Sequence, residues 1–175
     1  KREQRWVERA RQSPGARVDV FGPGEFRTIF INPRIKPLDD RRVREAVARA
    51  VDVPQLVKFV GADVLKPGRS VVPPGYLGEA EAGPKFPHDI AKAKALLAEA
   101  GFPQGITLKA VVSNNNAQQP VMEVVQGQLK RAGINLVMDV VDHTTYHAQI
   151  RKDVSALVFY GAARFPVADS YLTEF

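Results

Sequence analysis

Two hydrophobic periods alternate along the chain. In "PLDDRRVREAVARAVD" the apolar positions Val43, Ala46, Val47, Ala50 and Val51 recur at steps of three and four, which predicts an amphipathic helix. Asp39 is its expected N-cap, with Leu38 and Val43 as a hydrophobic staple and Glu45 paired to Arg49 on the outer side. Pro54 then opens a second short helix, Gln55 to Val60, because the first turn tolerates its missing N–H. Further on, "DIAKAKALLAEAGFPQGITLKAVV" predicts a helix stopped by Gly101. A strand follows, in which Ile106, Leu108, Ala110 and Val112 alternate with polar or outward positions. The pattern repeats in "PVMEVVQGQLKRAGINLVMDVV", a helix to Arg131, a stop at Gly133 and a strand from Ile134 to Val141. Two such helix-glycine-strand units in succession imply parallel strands joined by helical crossovers, hence an α/β class. "DHTTYHAQIRKD" predicts a short helix capped by Asp142, and Ser155 to Tyr160 a third strand.

The remainder is less regular. Lys1 to Gln12 reads as a charged helix, Ser13–Ala16 and Phe21–Gly24 as turns, and Val18–Phe21 and Arg27–Ile31 as short strands. Gly61 to Pro87 is punctuated by Pro and Gly, a long loop of the kind that usually carries function or an interaction surface. Ala168 to Phe175 reads as the start of a helix.

In an open α/β sheet a ligand lies outside the carboxyl ends of the strands. That rule selects three stretches: Ser113-Asn114-Asn115-Asn116, Asp142 with the turn after it, and Gly161 to Pro166. Composition narrows the chemistry. With 175 residues, 45% of them hydrophobic, one domain or one large lobe can bury a core. No apolar run approaches the ~20 residues of a membrane span, and no signal-peptide pattern opens the chain, which begins with Lys1 rather than Met, so the expectation is of a mature or excised segment. The absence of cysteine excludes thiolate chemistry. The net charge of +6 comes from basic residues scattered among acidic ones, as on a solvated surface. The alternative it suggests is a basic module for nucleic acid or an acidic partner, which strong salt dependence would reveal. His143 and His147 stand four apart on a helix without an acidic third ligand on the same face, and read as a solvated pair rather than a metal site. No cofactor motif or catalytic constellation is present, and Asp39 and Asp40 read as helix-start residues rather than an acid/base pair.

Two stretches carry a family resemblance. "FINPRIKPLDDRRVREAVARAVD" is close to a pattern of Asn, then Pro-Leu-x-Asp-x-Arg-Val-Arg-x-Ala-x-x-x-Ala-x-Asp, and "AKAKALLAEAGFPQGITL" to Ala-x-x-Leu-Leu-x-x-Ala-Gly-Phe/Tyr-x-x-Gly. In these the sequence resembles the extracytoplasmic solute-binding proteins of ABC importers, in the group that binds oligopeptides, dipeptides and nickel complexes. The likeness runs from Phe26 to Leu172. It implies one lobe, the later of two, of a periplasmic-binding-protein-like type II fold with a mixed sheet. Residues 1–25 would be a connection from the other lobe or hinge, and 26–175 the ligand-binding lobe, incomplete at its C-terminus.

The resemblance also implies roles. The loop Ser113 to Asn116 would line the cleft, and Tyr146 would line the pocket. Gly161-Ala-Ala-Arg-Phe-Pro-Val-Ala aligns with a stretch Trp-x-x-Asp-Tyr-x-Asp-Pro whose first Asp holds a peptide's amino group. Arg164 stands at that Asp, so an acidic group on the ligand is expected there, held by a forked guanidinium. Tyr160 and Phe165 complete the candidate set. The implied protein is a non-catalytic, monomeric receptor, periplasmic or extracytoplasmic and either free or lipid-anchored. It would bind a peptide or acidic small molecule, pass it to a membrane permease, and have no role with nucleic acid.

Overall fold

The structure is a computed structural model that describes residues 4–19, 25–68, 70–73, 75–79, 85–163 and 167–173. It divides into two compact units. One comprises Lys1–Arg27, Val53–Pro84 and Gly161–Phe175; the other comprises Thr28–Asp52 and Lys85–Tyr160.

The first unit holds helices α1 (Gln4–Arg11), α3 (Val53–Val60) and α7 (Ala168–Leu172). Its N-terminal helix is tied to the turn after α3 through Asp63. The Asp63 carboxylate accepts from the Gln4 amide at 2.8 Å and from Arg11 at 2.7 Å, and the Asp63 N–H donates back to the Gln4 side chain. Within the long Pro/Gly-rich loop no helix forms among the described residues. A single parallel bridge joins Leu77 to Val167, and the Ala168 N–H donates to the Leu77 carbonyl.

The second unit carries the α/β arrangement. Helix α2 (Arg41–Ala50) packs against α4 (Ile90–Glu99) and α5 (Gln119–Arg131), and α5 lies on the strands β2 (Ile106–Ser113) and β3 (Ile134–Val141). The buried stripe of α2 is Val43, Ala46, Val47 and Ala50, four of the five positions its period selects; Val51 caps the helix instead. The N-cap is Asp40 rather than Asp39, one residue later than the sequence suggests. The Asp40 carboxylate accepts from the Arg42 N–H at 2.8 Å, while Arg44 satisfies the Leu38 and Asp39 carbonyls. Leu38 and Val43 are both fully buried, although the shifted cap removes them from the staple positions. Glu45 and Arg49 do pair, at 2.8 Å.

The glycine stops behave as read. Gly101, at φ +94°, closes α4 with its N–H on the Ala98 carbonyl while the Phe102 N–H reaches Leu97. Gly133, at φ +86°, closes α5. β2 and β3 are parallel and in register from Ile106 opposite Ile134 to Ser113 opposite Val141, with α5 as the crossover.

The last strand differs from expectation. β4 spans Leu157–Ala162, two residues later than Ser155–Tyr160, and pairs with β1 (Phe26–Ile31) in a second two-stranded sheet. Ser155 explains the offset. Its hydroxyl accepts from the Val111 N–H at 2.9 Å and donates to the Leu157 carbonyl at 2.6 Å, so a side chain takes the place of a backbone rung. Ala156 links the two sheets, its N–H on the Lys109 carbonyl and its own carbonyl accepting from Asn32. Val18 and Asp19 lie outside any strand, and Val20 to Gly24 fall outside the described residues.

Candidate functional site

The in-register pairing of β2 and β3 fixes what meets at their carboxyl ends. Ser113 lies opposite Val141, and the Asn114 N–H extends the ladder to the Val141 carbonyl at 2.8 Å. The next residue, Asp142, caps the helix α6 (His143–Gln149) by accepting from the Thr144 and Thr145 N–H groups, each at 3.0 Å. The first helical residue, His143, is thereby held beside Ser113.

Ser113 is fully buried, and its hydroxyl does two things. It accepts from the Asn115 N–H at 3.2 Å and contacts His143 Nδ1 at 2.9 Å. One turn along, His147 Nε2 lies 3.2 Å from His143 Nε2, with the rings crossing edge to face and centroids 4.5 Å apart. Tyr160 on β4 meets His147 in the same fashion at 6.0 Å. Ser113, His143, His147 and Tyr160 therefore form one continuous polar-aromatic row that starts at the carboxyl ends of β2 and β3 and reaches Tyr160 within β4. Burial, the neighbouring His143 and the charge of Arg151 all hold the His147 imidazole below its ordinary pKa.

Tyr146 serves this row from beneath. Only 1% exposed, it donates its hydroxyl to the Phe159 carbonyl at 2.6 Å, lies parallel to the His143 ring at 6.0 Å between centroids and meets the His147 ring edge to face at 5.3 Å. Burial pushes its phenol up to about 12, so it is a neutral donor at any physiological pH. Its ring and hydroxyl fasten α6 to β4.

The asparagine loop divides. The Asn115 side chain accepts from the Ala117 N–H at 2.7 Å and its carbonyl from Gln118 and Gln119, which is turn chemistry leading into α5. Asn114 and Asn116 are exposed beside it. Arg164 and Phe165 fall outside the described residues. The row thus includes Ser113 and Tyr160 from the expected set, with Tyr146 beneath it. It also includes His143 and His147, expected from the sequence as a solvated pair, of which His143 is exposed and His147 half-buried. Their spacing and the Asp142 cap were readable; their junction with Ser113 depends on strand register. Among the described residues no group of three or more His, Cys, Asp or Glu side chains is placed to hold a metal. A separate groove of about 420 Å³, lined in part by Lys109, Asp139 and Lys152, shares no residue with the row.

An α/β lobe with polar groups gathered at the carboxyl ends of its strands is the form of one half of a periplasmic-binding-protein fold. Residues 5–175 match the family described as bacterial extracellular solute-binding proteins, family 5 Middle, and the chain belongs to that family. The glutathione-binding protein GsiB of Escherichia coli (strain K12) is 34% identical over 139 residues, covering 77% of this chain and 27% of that protein. The structure of MoaA from A. tumefaciens R10, in complex with mannopinic acid, superposes with a TM-score of 0.91 at 39% identity, over 100% of this chain and 36% of that one. DppA from Helicobacter pylori, in complex with the peptide STSA, superposes with a TM-score of 0.87 at 22% identity, over 97% of this chain and 33% of that one, a likeness of fold. The chain thus spans about a third of the length of the relatives it matches. These relatives are binding proteins, and no described helix is long and apolar enough to cross a membrane.

Proposed function

We propose that this chain is the ligand-binding lobe of an extracytoplasmic receptor for an ABC importer, which captures a small acidic solute and passes it to a membrane permease. The observation that carries the reading is the row of Ser113, His143, His147 and Tyr160, which starts at the carboxyl ends of β2 and β3. Residues 26–175 then make the lobe and 1–25 the connection to its partner lobe. Arg164, which follows β4 in the sequence, is our candidate for the anion contact. MoaA at 39% identity holds mannopinic acid, and GsiB is named for glutathione; both ligands carry carboxylates, which a guanidinium can take as a forked donor.

Binding without catalysis fits this arrangement. Closure of two lobes desolvates the solute and strengthens each polar contact, and no bond of the ligand need be broken. The receptor works as a monomer outside the cytoplasm, free or tethered by a lipid. The basic-module alternative gains nothing from the relatives. Within the structure Arg11, Arg17, Arg27, Arg34, Arg42 and Arg49 are each paired with a carboxylate of the chain itself.

Calorimetric titration of the intact protein with mannopinic acid, glutathione and an uncharged peptide amide tests the proposal. Binding of at least one carboxylate-bearing solute, weakened at least ~10-fold by Arg164→Ala, is the expected result. Retained affinity in Arg164→Ala, or preference for the amide, overturns the anion contact; no binding of any small solute overturns the receptor.

A further inference from the structure

The hydrogen bonds that join Ser113, His143 and His147 run in one direction. We propose that Ser113 fixes the tautomers of both imidazoles, so that His147 meets the solute as a neutral Nδ1–H donor, which selects an oxygen acceptor such as a carboxylate and has no lone pair to offer an ammonium group.

The direction is set by a backbone amide and a buried hydroxyl. The Asn115 N–H donates to the Ser113 oxygen at 3.2 Å. Ser113 is fully buried, and a buried hydroxyl proton needs an acceptor of its own. Among the described residues the acceptor within reach is His143 Nδ1, at 2.9 Å. The hydroxyl therefore donates, and His143 Nδ1 carries a lone pair rather than a proton. A neutral imidazole has one N–H, which in His143 is then at Nε2. That N–H faces His147 Nε2 at 3.2 Å, so His147 accepts there and bears its own proton at Nδ1. The two rings of α6 thus take opposite tautomers.

The surroundings hold the row in this form. Turning an Nδ1–H of His143 onto Ser113 would leave the buried hydroxyl proton without an acceptor. Protonating His147 at Nε2 would set two N–H groups against each other. Burial, the neighbouring His143 and Arg151 hold that imidazole below its ordinary pKa, in the same sense. Tyr146 and Tyr160 meet the His147 ring edge to face, at 5.3 and 6.0 Å between centroids, and resist its flipping over.

What is left for a ligand follows from the donors and acceptors. Both lone pairs and the His143 N–H are used inside the row, which leaves the His147 Nδ1–H. Among the described residues nothing accepts from it. A carboxylate oxygen takes such a donor in a charge-assisted bond, whereas an ammonium group finds no acceptor on either ring. The selection of the solute rests on the receptor reading; the tautomers do not.

Proton–nitrogen correlation spectra of the imidazoles, recorded on the intact protein at neutral pH without ligand, show which nitrogen of each ring is protonated. His143 is expected bare at Nδ1 and His147 bare at Nε2. A proton on His143 Nδ1, or the same tautomer in both rings, overturns the proposal and leaves the receptor reading standing. In Ser113→Ala both rings should move to averaged tautomers, although the lost hydroxyl touches His143 alone; an unchanged His147 signal removes Ser113 as its positioning residue. Calorimetry with mannopinic acid and glutathione then tests the selection. His147→Phe keeps an aromatic edge towards Tyr160 but no donor, and should weaken binding of the carboxylate-bearing solute about 10-fold. Unchanged affinity overturns the selection alone, and a wild-type protein that binds no small solute overturns it together with the receptor reading.

Discussion

The Ser113 hydroxyl lies 2.9 Å from His143 Nδ1, although thirty residues and a complete helix-strand unit separate them in the chain. One buried oxygen thereby couples the end of β2, the start of α6 and the Asn115 turn. Its removal in Ser113→Ala leaves the Asn115 N–H and His143 Nδ1 without this partner. Both lie close enough to solvent to find water, so the cost should be modest, about 1 kcal/mol in urea unfolding. The local effect should be larger than the global one. Amide exchange at Asn115 is expected to quicken well beyond what the loss of stability accounts for; uniform acceleration across the second unit would contradict the coupling.

Acid should test the start of α2. Arg42 holds the Asp40 carboxyl below its usual range, first through its guanidinium hydrogen bonds and then through its backbone N–H. With a depressed pKa in the folded state, the unfolded chain binds more protons in acid. The contribution is therefore complete above the ordinary value of 3.8 and disappears as pH falls through the lower folded value. Asp40→Asn retains a capping oxygen but no charge. Urea midpoints measured from about pH 6 to pH 2 should show wild type ahead of this variant by a constant margin at the upper end. The margin should close below 3.8; one that persists into strong acid would exclude the Asp40–Arg42 pair as its source.

The limits of sequence reading can be traced to individual groups. The Gly101 and Gly133 stops and the two apolar periods were legible because each is local: a positive φ after a helix and a side-chain repeat need no tertiary partner. Adjacent aspartates at 39 and 40 are equivalent caps on paper. The Arg42 N–H settles on Asp40 only once Arg44 has folded back on the Leu38 and Asp39 carbonyls. β4 was displaced because the Ser155 hydroxyl stands in for a backbone rung. At the site, His143 and His147 could be placed on one helical face, but their junction with Ser113 follows from the in-register pairing that sets Ser113 opposite Val141. Tyr146 illustrates the converse. The family resemblance selected it as a pocket residue, and the structure adds what the resemblance did not indicate, a buried ring and a bond to Phe159 that fasten α6.

That in-register pairing begins at two glycines whose demands differ. Gly105 and Gly133 both have positive φ, +88° and +86°, so alanine at either carries the left-handed penalty of about 1–2 kcal/mol. Only Gly105 faces a second obstacle. A Cβ there would fall 2.1 Å from the Gly133 carbonyl oxygen, an atom that already accepts the Ile106 N–H at 3.0 Å, whereas the nearest atom to a Cβ on Gly133 is the Gly105 Cα at 3.6 Å. The obstructing carbonyl is backbone and cannot rotate away, so the first rung of the β2–β3 ladder must move. Gly105→Ala should therefore cost at least about 2 kcal/mol more than Gly133→Ala in urea unfolding. It should also raise amide exchange at Ile106 selectively. Equal losses in the two variants would mean that the strands can separate at this end without penalty, and the register that brings Ser113 to His143 would have to be fixed elsewhere along the ladder.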